Sequence, residues 1–384
     1  MKRSINNIPE GYKRNSTLGV IPNEWEVKRL GEMCNYINSG KNKKKNNNGI
    51  YPVYGSTGII GYTNDYVYKS PLLLVARVGA HAGFTYFVRE KCDISDNTLI
   101  LQLKPSYDLI FAYNQLKNYN LNRLVFGSGQ PLITAKLLKL LEIAIPPLPE
   151  QRKIAEVLST WDKAIEKQTL LVEKLELRKK GLMQQLLTGK KRLPGFNGKW
   201  EKEKLGKLFD ERNETKMPSL PLLSITADKG VISQTESEKK DTSNEDKSKY
   251  KRICPGDIGY NTMRMWQGRC ALSKLEGIVS PAYTIVSPHN DVNPFYMEML
   301  FKQPFMVYRF WTHSQGLVND TLNCKYPAFS QVKVTIPEIE EQNAIAEILS
   351  FCDKEIALAK QKLDTLRQQK KGLMQVLLTG KKRI

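Results

Sequence analysis

The sequence predicts an α+β chain in which two mixed α/β domains are joined by two long helices. The helices are expected to form an intramolecular antiparallel coiled coil with a pseudo-twofold axis. Three observations predict this fold. One helical segment is written twice at a fixed offset, its apolar residues follow a heptad period, and short strand-like runs precede each copy.

The repeat is nearly exact at its end. The phrase KKGLMQQLLTGKKR (Lys179–Arg192) returns with one substitution as KKGLMQVLLTGKKR (Lys370–Arg383), 191 residues later. At the same offset, IPPLPEQRKIAEVLSTWDKAI (Ile145–Ile165) matches IPEIEEQNAIAEILSFCDKEI (Ile336–Ile356). Two copies at this long spacing indicate a twofold duplication, since a solenoid has more copies at a shorter period.

A tryptophan opens each half. Trp25 and Trp200 are each followed five residues later by Leu-Gly. We therefore predict an N-terminal segment over 1–24, a first variable domain over 25–145, a central helix over 146–192, a second variable domain over 193–336 and a C-terminal helix over 337–384. Runs such as PLLLVARVG (Pro71–Gly79) and SPAYTIVSP (Ser280–Pro288) predict modest sheets in both variable domains.

Both repeats are expected to be coiled-coil helices. Apolar residues fall alternately four and three apart, from Ile154 to Leu186 in one copy and from Ile345 to Leu377 in the other. Gly189 and Gly380, each followed by Lys-Lys-Arg, predict a glycine stop. The alternative is two unrelated amphipathic helices, each packed on its own domain.

Lysine interrupts both seams at the same register, at Lys179 and Lys370, which predicts that the coil ends there. The following apolar turns then face either the adjacent domain or another protein. We predict that they form a doubled docking surface for a partner, made by Leu182, Met183, Leu186, Leu187, Leu373, Met374, Leu377 and Leu378.

The charge points to a polyanion. The chain carries 59 Lys and Arg against 39 Asp and Glu, a net charge of +20, which favours nucleic acid as a partner. A basic surface without such a partner is the alternative. No apolar run is long enough to span a membrane, and the N-terminus does not resemble a signal peptide, so we expect a cytoplasmic protein. No His or Cys spacing suggests a metal site.

Several stretches have side chains suited to DNA, because Arg, Asn and Gln read base edges whereas Lys mostly contacts phosphates. They are a basic loop, the segment after an apolar strand, the cluster NTMRMWQGR, and two small polar loops, FGSGQPLIT and THSQGLVND. Trp266 could equally belong to the core. The candidate DNA-binding residues are Lys41, Lys43, Lys44, Lys45, Ser56, Arg77, His81, Arg123, Ser128, Gln130, Asn261, Arg264, Trp266, Gln267, Arg269, His313, Gln315 and Lys325.

Two fragments invite an enzymatic interpretation and do not support it. FGSG (Phe126–Gly129) lacks the glycine spacing of an S-adenosylmethionine site, and NPFY (Asn293–Tyr296) has Phe where adenine-N6 methyltransferases have a second Pro. We predict no catalytic, cofactor-binding or metal-binding residue in this chain.

The order of tryptophan-led regions and the repeats PPLPEQRKIAEVLS…KKGLMQQLLTGKKR and EEQNAIAEILS…KKGLMQVLLTGKKR resembles the DNA specificity subunits of type I restriction–modification systems. The resemblance implies that each variable domain is a target-recognition domain that binds one half of a split, asymmetric DNA site. It also implies that the repeats recruit two methyltransferase subunits and, through them, restriction subunits, as part of defence against phage. S-adenosylmethionine, ATP and Mg would then be bound by the partners.

Two other functions remain open at this point. The chain could be a DNA-binding regulator, or a specificity subunit of another defence system with the same architecture. It could also be a structural coiled-coil adaptor whose basic charge is incidental. The adaptor predicts DNA binding that salt abolishes and that sequence does not modulate.

Overall fold

The computed structural model describes residues 8–42, 48–125, 131–226, 229–237, 245–318 and 321–384. The strands are β1 (Tyr12–Asn15), β2 (Gly19–Pro22), β3 (Glu26–Arg29), β4 (Cys34–Ser39), β5 (Tyr51–Gly55), β6 (Gly58–Thr63), β7 (Leu72–Ala76), β8 (Thr85–Val88), β9 (Asp93–Ile94), β10 (Thr98–Leu103), β11 (Glu142–Ile145), β12 (Glu201–Lys204), β13 (Phe209–Glu211), β14 (Leu223–Ile225), β15 (Val231–Ser233), β16 (Lys251–Ile253), β17 (Ile258–Asn261), β18 (Cys270–Leu272), β19 (Gly277–Val279), β20 (Tyr283–Pro288) and β21 (Lys333–Ile336). The α-helices are α1 (Leu30–Met33), α2 (Leu109–Tyr119), α3 (Ala135–Lys139), α4 (Leu148–Leu186), α5 (Pro294–Phe301), α6 (Pro304–His313), α7 (Tyr326–Gln331) and α8 (Ile339–Leu377).

The chain forms two compact units, each with its own core. Unit 1 comprises residues 1–169 and 361–384, and unit 2 comprises residues 170–360. Each unit therefore contains one variable domain, part of α4 and part of α8. The mixed α/β character predicted for both variable domains is confirmed.

Unit 1 is built around a four-stranded antiparallel sheet with the order β4-β10-β7-β8. One face of this sheet, including Leu73 and Leu101, is buried against Ala112 and Leu116 of α2. The pair β3–β11 closes the domain just before α4 begins, and β5 lies between β6 and β9 in a smaller sheet. Asp108 begins α2, since its carboxylate accepts from the backbone N–H of Phe111 at 2.8 Å.

Unit 2 repeats this topology with a different sequence. Its main sheet has the order β13-β20-β17-β18, and the pair β12–β21 precedes α8 as β3–β11 precedes α4. An aromatic cluster fills the core, in which the Phe329 ring lies 5.3 Å from Tyr260 and 5.7 Å from Phe301. The two variable domains thus share one backbone plan although their sequences hardly resemble each other.

The two long helices run antiparallel within each unit. In unit 1, Asp162 of α4 contacts Lys370 and the earlier Glu150 contacts the later Arg383. In unit 2, Glu176 contacts Lys360, whereas Lys179, further along α4, contacts the earlier Asp353. Partner numbers that fall as α4 advances define an antiparallel pair, and Ile154, Leu158, Val172, Leu175, Ile356 and Leu363 of the predicted seam are buried.

The prediction that the coil ends at the seam lysines is wrong. Both helices continue for seven residues beyond them, and their later seam residues still share a core with the opposite helix, Leu186 with Ile345 and Leu377 with Ile154. The Lys370 ammonium, whose side chain is 7% exposed, lies 2.5 Å from Asp162, and Lys179 lies 2.5 Å from Asp353 in unit 2. A carboxylate from the opposite helix neutralises each seam lysine, so the heptad register passes through the lysine unbroken.

The predicted glycine stops are confirmed. Gly189 and Gly380 have φ values of 69° and 71°, in the left-handed region that glycine tolerates best. After each glycine the chain turns back, and the N–H groups of Lys191 and Lys382 donate to the carbonyls of Gln185 and Val376, six residues earlier.

The structure corrects the predicted partner-docking surface. Leu186 and Leu187 are buried in the core of unit 2, and Leu182 and Met183 pack against that core. In unit 1, a core that includes Trp25 and Ile154 buries Met374, Leu377 and Leu378, and Leu373 packs against it. The adjacent domain in each unit thus covers the apolar turns, which leaves Leu182, Met183, Leu186, Leu187, Leu373, Met374, Leu377 and Leu378 little surface to offer a partner.

Candidate nucleic-acid interface

In unit 1, several predicted residues meet at one edge of the main sheet, around the turn before β10. The Ser56 hydroxyl donates to the Asn97 carbonyl at 2.6 Å, and the backbone N–H of Arg77 donates to the same oxygen at 2.9 Å. The Arg77 guanidinium reaches the Asp96 carbonyl at 3.5 Å. Lys41 joins this edge because its neighbour Asn42 donates to the Ile94 carbonyl at 3.0 Å.

The segment after β7 also meets the described end of the first small polar loop, residues 131–134. The Ile133 N–H donates to the Arg77 carbonyl at 2.8 Å, and the Gly79 N–H donates to Pro131 at 3.0 Å. Ser128 and Gln130 of that loop, and Lys43, Lys44 and Lys45 of the basic loop, lie outside the described residues.

Two other predicted residues of unit 1 have different surroundings. The His81 ring is half-buried and packs edge-on against Phe84, with 4.8 Å between ring centroids. The Arg123 guanidinium lies over the Tyr119 ring at 5.1 Å, and its side chain lines a pocket with Leu18 and Leu378. Among the described residues, Arg123 has no hydrogen bond or ion pair with the Arg77 edge.

Unit 2 brings its own predicted residues together at the equivalent edge. The Cys324 N–H donates to the Thr262 carbonyl at 2.9 Å, which places Lys325 beside the loop that starts at Asn261. Gln315 and Asn323 exchange backbone hydrogen bonds of 3.0 and 2.8 Å. The structure therefore joins the cluster after β17 to the second small polar loop, as it joins Arg77 to the loop region of unit 1.

The rest of the NTMRMWQGR cluster forms a single 3-10 turn, Met265–Gln267, that packs against α6. The Trp266 indole is half-buried and donates to the Met263 carbonyl at 3.0 Å. Gln267 and Arg269 are exposed on either side of Gly268, as is His313 at the end of α6. Arg264, just before the turn, is half-buried.

Electrostatics separates the cations that can meet a polyanion from those already neutralised. In the described part of the chain, no carboxylate lies within salt-bridge distance of Arg77, Arg269 or Lys325. Arg212 and Arg252, by contrast, share Glu214, at 2.5 and 2.8 Å. Hydrogen bonds from these two guanidinium groups hold the pKa of Glu214 below its ordinary value, and the bond from Arg252 has the larger effect.

Sequence reasoning missed how each domain is anchored to its helix. Glu150, buried in the first turn of α4, accepts from the Trp25 indole N–H at 3.3 Å and from Arg383 at 2.9 Å. In unit 2, Glu341 accepts from the Trp200 indole at 3.1 Å and from Arg192 at 2.6 Å. Each arginine is the last basic residue of the repeated phrase, so the repeat ends by binding the start of the other helix.

The glutamine that follows each glutamate makes a second anchor. The Gln151 side chain accepts from the backbone N–H of Asp108, the residue that caps α2, at 2.8 Å, and donates to the Pro146 carbonyl at 2.9 Å. Gln342 makes the same two bonds, to Asn293 at 3.0 Å and to Pro337 at 2.9 Å. The Glu-Gln pair inside both copies of the repeat was a signal that could have revealed this cluster.

The NPFY fragment has a structural role. The Asn293 side chain caps α5 by accepting from the Tyr296 N–H at 2.8 Å, and the Tyr296 ring is buried.

In the described ranges, no group of three or more His, Cys, Asp or Glu side chains could hold a metal ion. No helix among these residues has the length and apolarity needed to cross a bilayer.

Known proteins resemble this chain in sequence and in fold. A sequence model of the type I restriction modification DNA specificity domain matches residues 22–175 and 197–368. The type I restriction enzyme MjaVIII specificity subunit of Methanocaldococcus jannaschii is 27% identical over 411 residues, which cover 95% of this chain and 94% of the relative. The putative MjaX specificity subunit of the same organism is 26% identical and covers 98% of this chain and 97% of its own length.

Solved structures support the same fold. The S subunit of a type I restriction–modification system from M. genitalium superposes with a TM-score of 0.64 at 17% identity, covering 95% of this chain and 98% of its own. A chain from a study of complex assembly in a type I system gives a TM-score of 0.57 at 16% identity and covers 93% and 98%. The specificity-domain model matches this chain twice and covers most of its residues. The chain therefore belongs to the DNA specificity subunits of type I restriction–modification systems, the non-catalytic components that carry two target-recognition domains.

Proposed function

We propose that this subunit reads an asymmetric DNA target in two parts, one with each unit. One observation carries the proposal: equivalent backbone positions carry different side chains. Arg77 directly follows β7 and Thr262 directly follows β17, and these strands hold the same place in the two main sheets. The carbonyl of Arg77 accepts a hydrogen bond from the backbone N–H of Ile133, as that of Thr262 does from Cys324. Arginine reads guanine in two-bonded geometry whereas threonine does not, so two equal backbones should recognise unequal half-sites.

The proposed partners are double-stranded DNA, two methyltransferase subunits and, through them, restriction subunits. The methyltransferase subunits would supply the S-adenosylmethionine chemistry, and ATP and Mg would bind to the restriction subunits. Since the target is the DNA of the cell, the proposed place of action is the cytoplasm. The net charge of +20 supports attraction to DNA.

A genome-wide map of methylated bases, with and without this gene, tests the proposal. We expect deletion to erase one split adenine-methylated motif and leave other motifs unchanged. If every motif survives in a cell whose partner methyltransferase is active, the chain does not direct methylation.

Single substitutions then assign the two halves. Arg77→Ala should weaken binding about 5- to 150-fold at one half-site only, because one bidentate base contact contributes about 1–3 kcal/mol. Arg14→Ala, on an exposed strand of the same unit, is the matched control and should change specificity little. Arg269→Ala should affect the other half-site, measured as binding to duplexes that carry changes in one half at a time.

The same measurement separates the alternatives. A regulator would bind its site without changing the methylation map. A structural adaptor would bind all duplexes equally and would release them as salt rises.

A further inference from the structure

The outer face of α6 in unit 2 carries two exposed aromatic side chains. Tyr308 is 63% exposed and Trp311 is 45% exposed, and their ring centroids lie 5.8 Å apart with 28° between the ring planes. We call this stacked pair the aromatic platform. Single exposed apolar residues are ordinary on a protein surface. Two large rings that stack on each other in water, however, form a preformed surface for a third flat ring.

The core of unit 2 holds the platform in place. On the inner face of α6, Met306 and Phe310 are buried, and Phe310 belongs to the aromatic core. The guanidinium of Arg309 donates to the backbone carbonyl of Lys333 at 2.5 Å, which ties α6 to β21. The two platform residues lie three positions apart on the opposite face of this fixed helix, so their rings are held together before any ligand arrives.

The platform adjoins the edge where the candidate DNA-binding residues of unit 2 meet. The helix packs against the 3-10 turn Met265–Gln267, on which Gln267 is exposed. It ends at His313, two residues before Gln315, whose backbone bonds to Asn323 fix the second small polar loop. A DNA strand that leaves this edge along α6 therefore reaches the platform next.

The charges around the platform are positive. The described residues 302–318 and 321–336 contain Lys302, Arg309, Lys325 and Lys333 and neither aspartate nor glutamate. Lys302 is neutralised by Glu298 of α5 at 2.8 Å. In the described ranges, no carboxylate lies within salt-bridge distance of the other three cations. The surroundings of the platform thus favour an anionic ligand.

Ring chemistry indicates which anion fits. In a duplex, neighbouring base pairs cover the faces of each base, and the grooves present only the base edges. A base without its pairing partner exposes a flat face, and stacking of such a face on Tyr or Trp is favourable whatever the sequence. Rings beside cations match a base and its phosphates, whereas an acidic protein helix would offer the rings no flat group.

Unit 1 lacks the platform. Between α2 and the first small polar loop, its chain makes the 3-10 turn Leu121–Leu124 where unit 2 has α6. The exposed side chains of that turn are Asn122 and Arg123, neither of which is aromatic. The platform is therefore specific to one half of the chain, in contrast to the anchors, which both halves share.

We propose that the aromatic platform binds an unpaired base of DNA by stacking, beside the half-site that unit 2 reads. The proposal rests on the proposed function, which places DNA at the adjoining edge. The cations near α6 attract the phosphates on either side of that base. An enzyme that methylates a base first takes it out of the stack, which leaves its former pairing partner unpaired. The platform would hold such a base and so stabilise the opened duplex.

Fluorescence anisotropy with the full-length chain tests the proposal on two short single strands of equal length and charge. One probe is oligothymidylate, which forms no duplex, and the other is an abasic strand. We expect the chain to bind oligothymidylate about 5- to 150-fold more tightly, because this is the factor that one stacked base contributes. The double variant Tyr308→Ala with Trp311→Ala should lose this preference.

Matched variants separate stacking from apolar contact. Tyr308→Phe with Trp311→Phe keeps two aromatic faces and should retain the preference for oligothymidylate. Tyr308→Leu with Trp311→Leu keeps an apolar surface without rings and should lose it. Phe351→Ala removes an exposed aromatic ring of α8 in the same unit and should change nothing. Since every changed position is exposed, folding should be retained, and circular dichroism of each variant checks it.

A duplex with one unpaired base extends the test to the target, once the methylation map has given its sequence. An abasic site in one strand of the unit 2 half-site leaves the opposite base unpaired. The unaltered chain should bind this duplex more tightly than the intact one, and the double alanine variant should bind the two alike. The same abasic change in the unit 1 half-site should give no such gain, since unit 1 has no platform.

Each other result overturns a defined part of the reasoning. Equal binding of both single strands by the unaltered chain, or a preference that survives the double alanine variant, would refute stacking. Loss of modification-subunit binding with an unchanged preference for oligothymidylate would make the platform a protein-docking surface and refute the proposal. Discrimination among intact duplexes by the unaltered chain tests the proposed function separately, and its absence would refute that function whatever the single strands show.

Discussion

The buried ion pair in the coiled coil of unit 1 predicts that its two partners contribute unequally to stability. The Lys370 side chain is 7% exposed, whereas that of Asp162 is 49% exposed. Asp162→Ala leaves a buried ammonium without its carboxylate, which should cost about 3 kcal/mol of the free energy of unfolding. Lys370→Met fills the seam with an apolar chain and leaves a carboxylate that water can solvate, so it should cost less than about 1 kcal/mol.

Urea denaturation followed by circular dichroism at 222 nm measures both effects. The double variant Asp162→Ala with Lys370→Met should match Lys370→Met alone, because the stranded charge is gone. The corresponding pair of unit 2 is a built-in control: Lys179 is 16% exposed, so Asp353→Ala should cost less than Asp162→Ala. Equal costs for Asp162→Ala and Lys370→Met, or additive costs in the double variant, would refute the reasoning.

Three further predictions concern the anchors, the acidic limb of stability and the thiols. Arg192→Ala should destabilise the chain more than Arg383→Ala in urea denaturation, because the Glu341 side chain that loses its cation is only 1% exposed whereas that of Glu150 is 7% exposed; equal losses would contradict this. The lowered pKa of Glu214 means that its stabilising contribution is present above its ordinary value of 4.5 and is lost as pH falls through the lowered value, so Glu214→Gln should flatten the fall of melting temperature with acid. A thiol reagent should modify one group in the native chain, Cys254, because the other five cysteines are buried; Cys254→Ser should abolish that reaction, and fast labelling of a second thiol would contradict the described core.

The helices could be predicted from sequence because their determinants are local and periodic. A seam from Ile154 to Leu186 repeats every seven residues, so many positions report the same structure. The seam lysines were misinterpreted because their partners are not local: the carboxylate that neutralises Lys370 is 208 residues away in the sequence, and no nearby pattern predicts it. A charged residue in a seam looks like an end unless its partner is known.

The recognition domains were predictable only as a class. Strand-like runs indicated mixed sheets, but the order β13-β20-β17-β18 and its match to β4-β10-β7-β8 depend on contacts that span the whole domain. The convergence of Ser56 and Arg77 on the turn at Asn97 could not be read from their spacing. The grouping of the candidate residues therefore comes from the fold, while their identities came from side-chain chemistry.

The pattern of what is kept and what varies explains how one architecture can read two sequences. The contacts that fix each domain to its long helix are nearly the same in both units. A tryptophan and an arginine donate hydrogen bonds to a buried glutamate, and a glutamine accepts one from the residue that caps a helix of the domain. These contacts involve none of the candidate DNA-binding residues. Substitutions at positions such as Arg77 or Thr262 can therefore change the bases recognised while the anchors keep the backbone in place. A recognition domain that carries its own tryptophan and capping residue should therefore fold against the first turn of either long helix, α4 or α8. When such a domain is transferred, the DNA sequence that it recognises should be transferred with it.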